Sequence, residues 1–456
     1  MKIHLIAIGG SAMHNLAIAL QKNGHEVSGS DDEIFEPSRS RLKSYGLLPE
    51  KFGWYPEKIN KSLDVIILGM HARIDNPELL RAQELGLKIF SYPEYLFMHS
   101  KNKKRVVIGG SHGKTTITAM VMHVMKQAGM DFDYLVGSKI KNFDVMVRLS
   151  DSAPLMIFEG DEYLSSPLDR RPKFHWYHPH VALLSGIAWD HINVFPTFEI
   201  YKTQFTEFIR LIEKDGTLIY SEDDEVLQEV VAQNRRSDLK IQGYKAIPYT
   251  IEDGVTYLVA DNRKVPLKIF GRHNMMNLNG ARLVCHAIGI DDAAFYTAIE
   301  SFEGTANRLE LIEKNEQFVI FKDFAHAPSK VKATISAVKE QFPDRELVAC
   351  LELHTFSSLN KAFLDQYSGS FKDADKGCVY YNPHTVEMKK LENIDPEDIR
   401  KAFNKKDLQV FTDSGEMIRW LKEQGADPKV FLMMSSGNFN GIDFEKLGVN
   451  LLENIT

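Results

Sequence analysis

The sequence predicts an α/β protein of three domains built on mostly parallel sheets. Three observations carry that prediction. Short apolar strands alternate with longer helical stretches along the chain, the pattern of sheets covered on both faces. The alternation restarts near residues 103 and 310, and 456 residues at roughly 150 per domain make about three domains. Apolar residues are 44% and charged residues 26% of the chain, which excludes a disordered, collagenous or disulfide-stapled molecule.

The elements follow in order. Residues 3–8 read as a buried strand that meets the turn Gly9-Gly10. A helix over 13–23 ends near Gly24, and strands follow at 25–29, 64–68 and 88–90. The polar stretch 100–104 reads as a linker and closes a first domain, 1–103. The second domain, 104–310, opens with a strand at 105–108 and a helix over 115–128 that Gly129 terminates. Strands at 155–158 and 181–184 follow. The third domain, 311–456, has strands at 318–322, 346–351, 408–411 and 430–434 with helices between, one of them at 396–403.

Lys plus Arg total 55 against 62 Asp plus Glu, a net charge of −7, which speaks against a general nucleic-acid or membrane-surface binder. No apolar run approaches the roughly 18 residues of a membrane span. Cys285, Cys350 and Cys378 are scattered and share no metal-ligand spacing, as expected of a reduced, intracellular protein. The first ten residues imitate a weak signal peptide, but His4 interrupts the apolar run, so a cytoplasmic location is expected.

The strongest motif is Gly110-Ser111-His112-Gly113-Lys114-Thr115-Thr116, between a strand and a helix. Such a turn aims backbone N–H groups at an anion, and the helix N-terminus adds partial positive charge. Lys114 would reach the β- and γ-phosphates from a solvent-filled site, and the Thr115 hydroxyl would ligate Mg²⁺. Ile108 stands where the strict phosphate-loop spacing wants glycine. The apolar run 155–158 ends in Glu159-Gly160-Asp161-Glu162, and an acid directly after a buried strand is where such proteins place a second Mg²⁺ contact. Glu159 is the candidate, against a plain solvated acidic turn.

Trp189-Asp190-His191 follows the strand 181–184; His191 alone is a weak candidate, since a lone histidine is more often structural. Gly9-Gly10-Ser11-Ala12-Met13 fails the G-x-G-x-x-G pattern at Ser11. Asp31, about twenty residues on, still stands where a ribose or base is often held. A nucleotide or diphosphate site is favoured there over a packing turn, with His71 after the strand 64–68 as a further contact. Asn404-Lys405-Lys406-Asp407 matches a guanine-reading pattern, but it joins a helix to a strand and reads as a polar loop.

Taken together, these residues resemble the Mur ligases of bacterial cell-wall synthesis along nearly the whole chain. Gly110–Thr116 looks like their ATP loop, Glu159-Gly160-Asp161-Glu162 like their Glu-Ala-Asp-Glu element, and Asp190-His191 like their Asp-His pair, which makes His191 a metal-site candidate beside Thr115 and Glu159. Gly271-Arg272-His273-Asn274-Met275-Met276-Asn277 resembles a segment that contacts ATP, here through His273, Asn274 and Asn277. Gly304-Thr305-Ala306-Asn307-Arg308 resembles a Gly-Thr-x-x-Arg segment whose arginine, here Arg308, faces the phosphates. Lys322-Asp323-Phe324-Ala325-His326-Ala327-Pro328 resembles Asp-Asp-Tyr-Gly-His-His-Pro, with Asp323 toward ATP and His326 catalytic; Lys322 and Ala327 depart from it. Phe205 stands where some branches carry a carbamylated lysine, and the loop His354-Thr355-Phe356-Ser357-Ser358 lacks the usual arginine.

The resemblance implies an N-terminal Rossmann-like domain that binds UDP-sugar through Gly9, Gly10, Ser11, Asp31 and His71, a central P-loop ATPase-like domain, and a C-terminal Rossmann-like domain for the amine substrate. Residues 1–10, 161–163, 168–174 and 189–195 look most like the branch that rejoins recycled wall peptide to its nucleotide sugar. The expected reaction uses ATP and Mg²⁺ to join UDP-N-acetylmuramate to the murein tripeptide through an acyl phosphate. Lys114, Glu159, His191 and Arg308 would neutralise the crowded charge. The alternatives are the L-alanine-adding ligase, a P-loop ATPase switch and, on the Gly9 turn alone, a nicotinamide dehydrogenase. The partners implied are small molecules, with the chain a monomer or weak homodimer.

Overall fold

The run Val-Ile-Ile-Leu at residues 65–68 has no polar face, so it can only be satisfied inside a sheet covered on both sides. The computed structural model, which describes residues 1–189, 194–260, 263–306, 308–424, 428–444 and 446–447, places it there. Strands β1 (Lys2–Ile6), β2 (Glu26–Ser30), β3 (Val65–Leu68) and β4 (Ile89–Ser91) form a parallel sheet in the order β2-β1-β3-β4. The first strand ends two residues before the apolar run does. Ala7 turns into the left-handed region at φ 66°, and the N–H groups of Ala7 and Ile8 both bond the Ser30 carbonyl, at 2.9 and 3.1 Å. The helix Ser11–Lys22 starts at once from this turn.

The second sheet holds β5 (Lys104–Gly109), β6 (Phe132–Leu135), β7 (Val147–Arg148), β8 (Leu155–Glu159), β9 (Val181–Leu184), β10 (Thr217–Ser221) and β11 (Lys240–Tyr244). Their order is β11-β10-β9-β5-β8-β6-β7, parallel except for the β6–β7 pair. The central strand β5 therefore delivers its carboxyl end between those of β8 and β9, where open α/β sheets hold their ligands.

Residues 100–104 are solvated only in part: Lys101, Asn102 and Lys104 are exposed, as a polar linker should be, but Ser100 and Lys103 are buried. Lys103 is 8% exposed, and its ammonium lies 2.6 Å from Asp133, which is fully buried. Arg105, 3% exposed, donates to the carbonyls of Tyr177 at 2.8 Å and Lys101 at 3.0 Å and pairs with Glu213 at 2.7 Å. The charged side chains lie inward because each meets an acid or a row of carbonyls. The first two sheets accordingly share one compact unit, residues 1–246 with 276–299.

The other unit comprises 247–275 and 300–456. An antiparallel sheet of β12 (Tyr249–Glu252), β13 (Val255–Ala260) and β14 (Arg263–Leu267) has no counterpart in the reading of the sequence. A six-stranded sheet follows, with β15 (Glu310–Lys314), β16 (Phe318–Asp323), β17 (Glu346–Leu353), β18 (Lys376–Tyr381), β19 (Gln409–Phe411) and β20 (Lys429–Met434). Its order is β15-β16-β20-β17-β18-β19, and only β15 is antiparallel. Asn404 caps the helix Pro396–Phe403 in the left-handed conformation, and Lys405 bonds the Ala374 carbonyl, so 404–407 is the polar connection expected. All three cysteines are free and buried.

Lys103 and Asp133 make a testable pair. Lys103→Met leaves the Asp133 carboxylate buried with a cation removed, and it should lower the unfolding free energy by about 3 kcal/mol. Urea denaturation of wild type and variant measures it; a loss under about 0.5 kcal/mol would mean that the pair does not hold this junction.

Candidate active site

Two glycines shape the loop after β5. Gly110 has φ +113°, and a Cβ there would fall 2.4 Å from Ser185 Oγ; Gly113 has φ +72°, and a Cβ would fall 2.2 Å from Asn277 Oδ1. Only glycine meets both demands. Ile108 is still strand, paired in register with Glu159 and Leu183, so the missing glycine at that position changes nothing in the loop. The helix Lys114–Gln127 then begins at Gly113.

Lys114 does not reach into open solvent as the sequence suggests. Its ammonium donates to Glu162 Oε2 at 2.7 Å and to the Gly110 carbonyl at 2.7 Å. Glu162 is 1% exposed and also accepts from the Tyr201 hydroxyl at 3.2 Å. Tyr201 in turn meets Ser111 Oγ at 2.9 Å, which accepts from the Ala188 N–H at 2.8 Å. Burial lowers the pKa of Lys114, but the acids Glu162, Asp161 and Glu159 outweigh it, so the ammonium is held charged.

Glu159 closes β8. Its Oε1 accepts from the Thr115 hydroxyl at 2.8 Å and its Oε2 from the Gly137 N–H at 2.7 Å. Burial raises its pKa against those two donors and Lys114. Two hard oxygens about 3 Å apart match one edge of a Mg²⁺ octahedron with bonds of ~2.1 Å, so Thr115 and Glu159 suit that ion. His191 lies outside the described residues, and among the described residues no three His, Cys, Asp or Glu side chains gather as a metal site.

Asp161 faces the same space. Burial raises its pKa, but Lys173 at 2.5 Å and Lys114 bring it down to about 2. Glu159, Asp161, Lys114 and Lys173 line a cavity of about 360 Å³ together with Gly10, Ser11, His71 and the wall from Leu135 to Gly137. The glycine turn after β1 and the loop after β5 therefore open into one cavity. Asn15 ties the first helix to the cavity wall before β7: its Nδ2 donates to the Ser11 carbonyl at 2.8 Å and its Oδ1 accepts from the Met146 N–H at 3.1 Å.

Asp31 stands behind the first turn. It accepts from the N–H of Gly9 at 2.7 Å and of Asp32 at 3.0 Å. A Cβ on Gly9 would lie 2.9 Å from its Oδ2. Its contacts in the structure brace the turn itself.

The second unit gathers another group. Asp323, 5% exposed, accepts from the N–H of Leu309 at 2.7 Å and of Ala325 at 2.6 Å. Burial raises its pKa, with Arg308 opposing. Arg308 lies 4.9 Å over the Phe324 ring, and His326 meets that ring edge-on at 5.1 Å. Burial and the neighbouring Arg308 lower His273 to about 4, so its imidazole is neutral at pH 7. Asn274 is buried and donates to the Phe270 carbonyl at 2.9 Å. Lys322 lies 5.0 Å over the Phe444 ring. Alternation along β16 sends Asp323 and Lys322 to opposite faces, so Lys322 leaves the acid's surroundings intact. Phe205 is fully buried against Tyr201 and Phe174, at 5.2 and 5.7 Å.

The sequence reading did not single out Lys173, Tyr201, Glu162 or the wall at 135–137 for a role. A lysine fourteen positions past Glu159 carries no local signal, and only the return of the chain along 161–174 brings it to the cavity.

Asp31 gives a pH test. Burial lifts its pKa from 3.8 to about 6, with the Gly9 N–H opposing and Asp32 adding to the rise. The folded protein then binds this proton more tightly than the unfolded chain. The contribution to stability is complete below 3.8 and is lost as pH rises through about 6. Unfolding measured from pH 4 to 7 should show wild type losing stability relative to Asp31→Asn over that window; parallel curves would refute the shift.

Comparison with known proteins bears on the whole chain. Residues 2–104 match the Mur ligase family catalytic domain, 108–285 the Mur ligase middle domain, and 307–437 the Mur ligase glutamate ligase domain. A UDP-N-acetylmuramate–L-alanine ligase of Clostridium botulinum (strain Langeland) is 32% identical over 394 residues, 82% of this chain and 81% of that protein. The same enzyme of Carboxydothermus hydrogenoformans is 25% identical over 98% of this chain and 96% of its own length. Among solved structures, UDP-N-acetylmuramate–alanine ligase of Thermotoga maritima aligns at TM-score 0.70 and 20% identity, covering 99% of this chain and 98% of that one. A murein peptide ligase of Psychrobacter arcticus aligns at TM-score 0.63 and 23% identity, covering 100% and 98%. With its three-part match and a phosphate loop that opens beside the N-terminal glycine turn, the chain belongs to the Mur ligase family and is an ATP-dependent amide-bond ligase of peptidoglycan.

Proposed function

We propose that the chain joins UDP-N-acetylmuramate to L-alanyl-γ-D-glutamyl-meso-diaminopimelate, as a murein peptide ligase does in wall recycling. The observation that carries the nucleotide-sugar half of this reading is the shared cavity, which opens on Gly10, Ser11 and His71 at one side and on Lys114 and Glu159 at the other. The tripeptide half rests on the stretches 161–163, 168–174 and 189–195. Two of these supply Asp161 and Lys173 to the cavity wall.

In this reading 1–103 takes the UDP-sugar through Gly9, Gly10, Ser11, Asp31 and His71, 104–310 takes ATP, and 311–456 takes the amine. The backbone of Gly110, Ser111, His112, Gly113, Lys114, Thr115 and Thr116 cradles the phosphates, Arg308 is a further phosphate cation, and His273, Asn274, Asn277 and Asp323 are further candidates for ATP contact. A lactyl carboxylate oxygen attacks the γ-phosphorus, ADP leaves, and an acyl phosphate forms. The amine, for which His326 is the catalytic candidate, then attacks the acyl carbon, gives up a proton and expels inorganic phosphate. Lys114 stays charged beside its acids and is ready to neutralise the transferring group. Thr115, Glu159 and His191 would hold Mg²⁺, which when bound spreads the phosphoryl charge. The chain acts in the cytoplasm, as a monomer or weak homodimer.

A second reading, addition of free L-alanine, is favoured by the names of the curated relatives at 25–32% identity. Measurement of kcat/KM for L-alanine, the dipeptide and the tripeptide at fixed UDP-N-acetylmuramate separates them. A tripeptide site gains binding energy from groups remote from the amine, so a rise of at least ~100-fold from alanine to tripeptide is expected. Alanine as the best amine would establish the second reading instead.

Glu159→Gln keeps the shape and removes the charge, and should raise the Mg²⁺ needed for half-maximal rate by ~10-fold or more. Glu162→Gln, which loosens Lys114, should lower turnover without moving the Mg²⁺ requirement. Superimposable Mg²⁺ titrations for wild type and Glu159→Gln would remove Glu159 from the metal site.

A further inference from the structure

The Asp161–Lys173 pair is built like a ligand contact. Lys173 is only 12% exposed at its side chain, yet it lines the cavity between the glycine turn and the phosphate loop. Its ammonium sits 2.5 Å from Asp161 Oδ2, and 5.6 and 5.5 Å over the rings of Tyr92 and Tyr163. An ammonium has three donors, and this acid engages one.

The loop that carries it is tied at every level. The Lys173 N–H bonds the Tyr163 carbonyl at 2.9 Å, the Phe174 N–H bonds the Asp161 carbonyl at 3.1 Å, and the Ser165 N–H and hydroxyl both bond the Arg171 carbonyl, at 2.9 and 2.7 Å. Asp161 Oδ1 is held by the Tyr163 N–H at 3.1 Å. Next along, Phe174 stacks on Phe208 at 4.6 Å. The cation is thus set in place before any ligand arrives, which is what positioning of a reacting group requires.

We propose that Lys173 binds the reacting carboxylate of the nucleotide sugar and holds it toward the phosphate loop, with Asp161 as the strut that aims it. The proposal rests on the nucleotide-sugar reading above. In that reading the carboxylate lies between the sugar's diphosphate, at the Gly10 turn, and the γ-phosphate, at Lys114. Lys173 lines that interval. Lys114 is engaged by Glu162 and its own loop and serves the phosphates, so the carboxylate needs a second cation.

Calorimetric binding without ATP tests this directly. UDP-N-acetylglucosamine is the same nucleotide sugar without the lactyl ether that bears the carboxylate. Wild type should bind UDP-N-acetylmuramate at least ~10-fold more tightly than UDP-N-acetylglucosamine, and Lys173→Met should bring the two within about twofold. Lys173→Arg should keep part of the preference. The double variant Asp161→Asn/Lys173→Met leaves no unpaired carboxylate at 161, so it supplies the same comparison should the single variant fail to fold. A merely structural lysine would lower stability and leave the preference untouched. Wild-type preference in a folded Lys173→Met or double variant, or equal binding of both ligands by wild type, overturns the proposal. Failure of wild type to bind either nucleotide overturns the reading beneath it.

Discussion

The four residues Glu159-Gly160-Asp161-Glu162, at the carboxyl end of β8, impose the constraint on which the site depends. Three carboxylates fall within four positions, Glu162 buried and Glu159 and Asp161 half-buried, and the crowding of like charge would be costly without partners. Each has its own partner: the Thr115 hydroxyl and the Gly137 N–H for Glu159, Lys173 for Asp161, Lys114 for Glu162. These partners come from three separate stretches of chain, and satisfying the acids draws those stretches together. Gly160 is part of the same constraint, since a Cβ there would lie 2.9 Å from Val107 Cγ1 in the neighbouring strand.

That arrangement gives the cavity its chemistry. Fixed cations and acids need little reorganisation when a highly charged ligand enters, and electrostatic stabilisation by such groups is the main source of rate in phosphoryl transfer. The relay from Ala188 through Ser111 and Tyr201 to Glu162 extends this rigidity into the core. Tyr201 is fully buried, and its hydroxyl is satisfied at both ends, as a buried phenol must be.

The same principle holds the first two sheets in one unit. Lys103 looks like a solvated linker residue because linkers are polar, and Arg105 lies near the start of the strand that follows. They are buried because Asp133, Glu213 and a row of carbonyls need their donors. Asn15 then carries a hydrogen bond from the first helix to Met146, beside the wall of the cavity.

Strands such as 65–68 and 181–184 were legible because an apolar run of that length fits nothing but a doubly covered sheet. The phosphate loop was legible because Gly110 and Gly113 report backbone conformations that no other residue adopts readily. Glu159 could be found by its place directly after a strand, and Asp323 and Arg308 by likeness of motif. The strands β6, β7, β10, β11, β12–β14, β15 and β18 were not legible, because their pairing depends on neighbours distant in the chain. What the sequence determined by itself was local: periodicity, turns and the residue types that bind phosphate. Which cation answers which acid, the inward turn of Lys103 and the place of Lys173 on the cavity wall were decided only by the tertiary structure. A buried charge takes its partner from whatever the fold brings within a few ångströms, and sequence spacing does not record that distance.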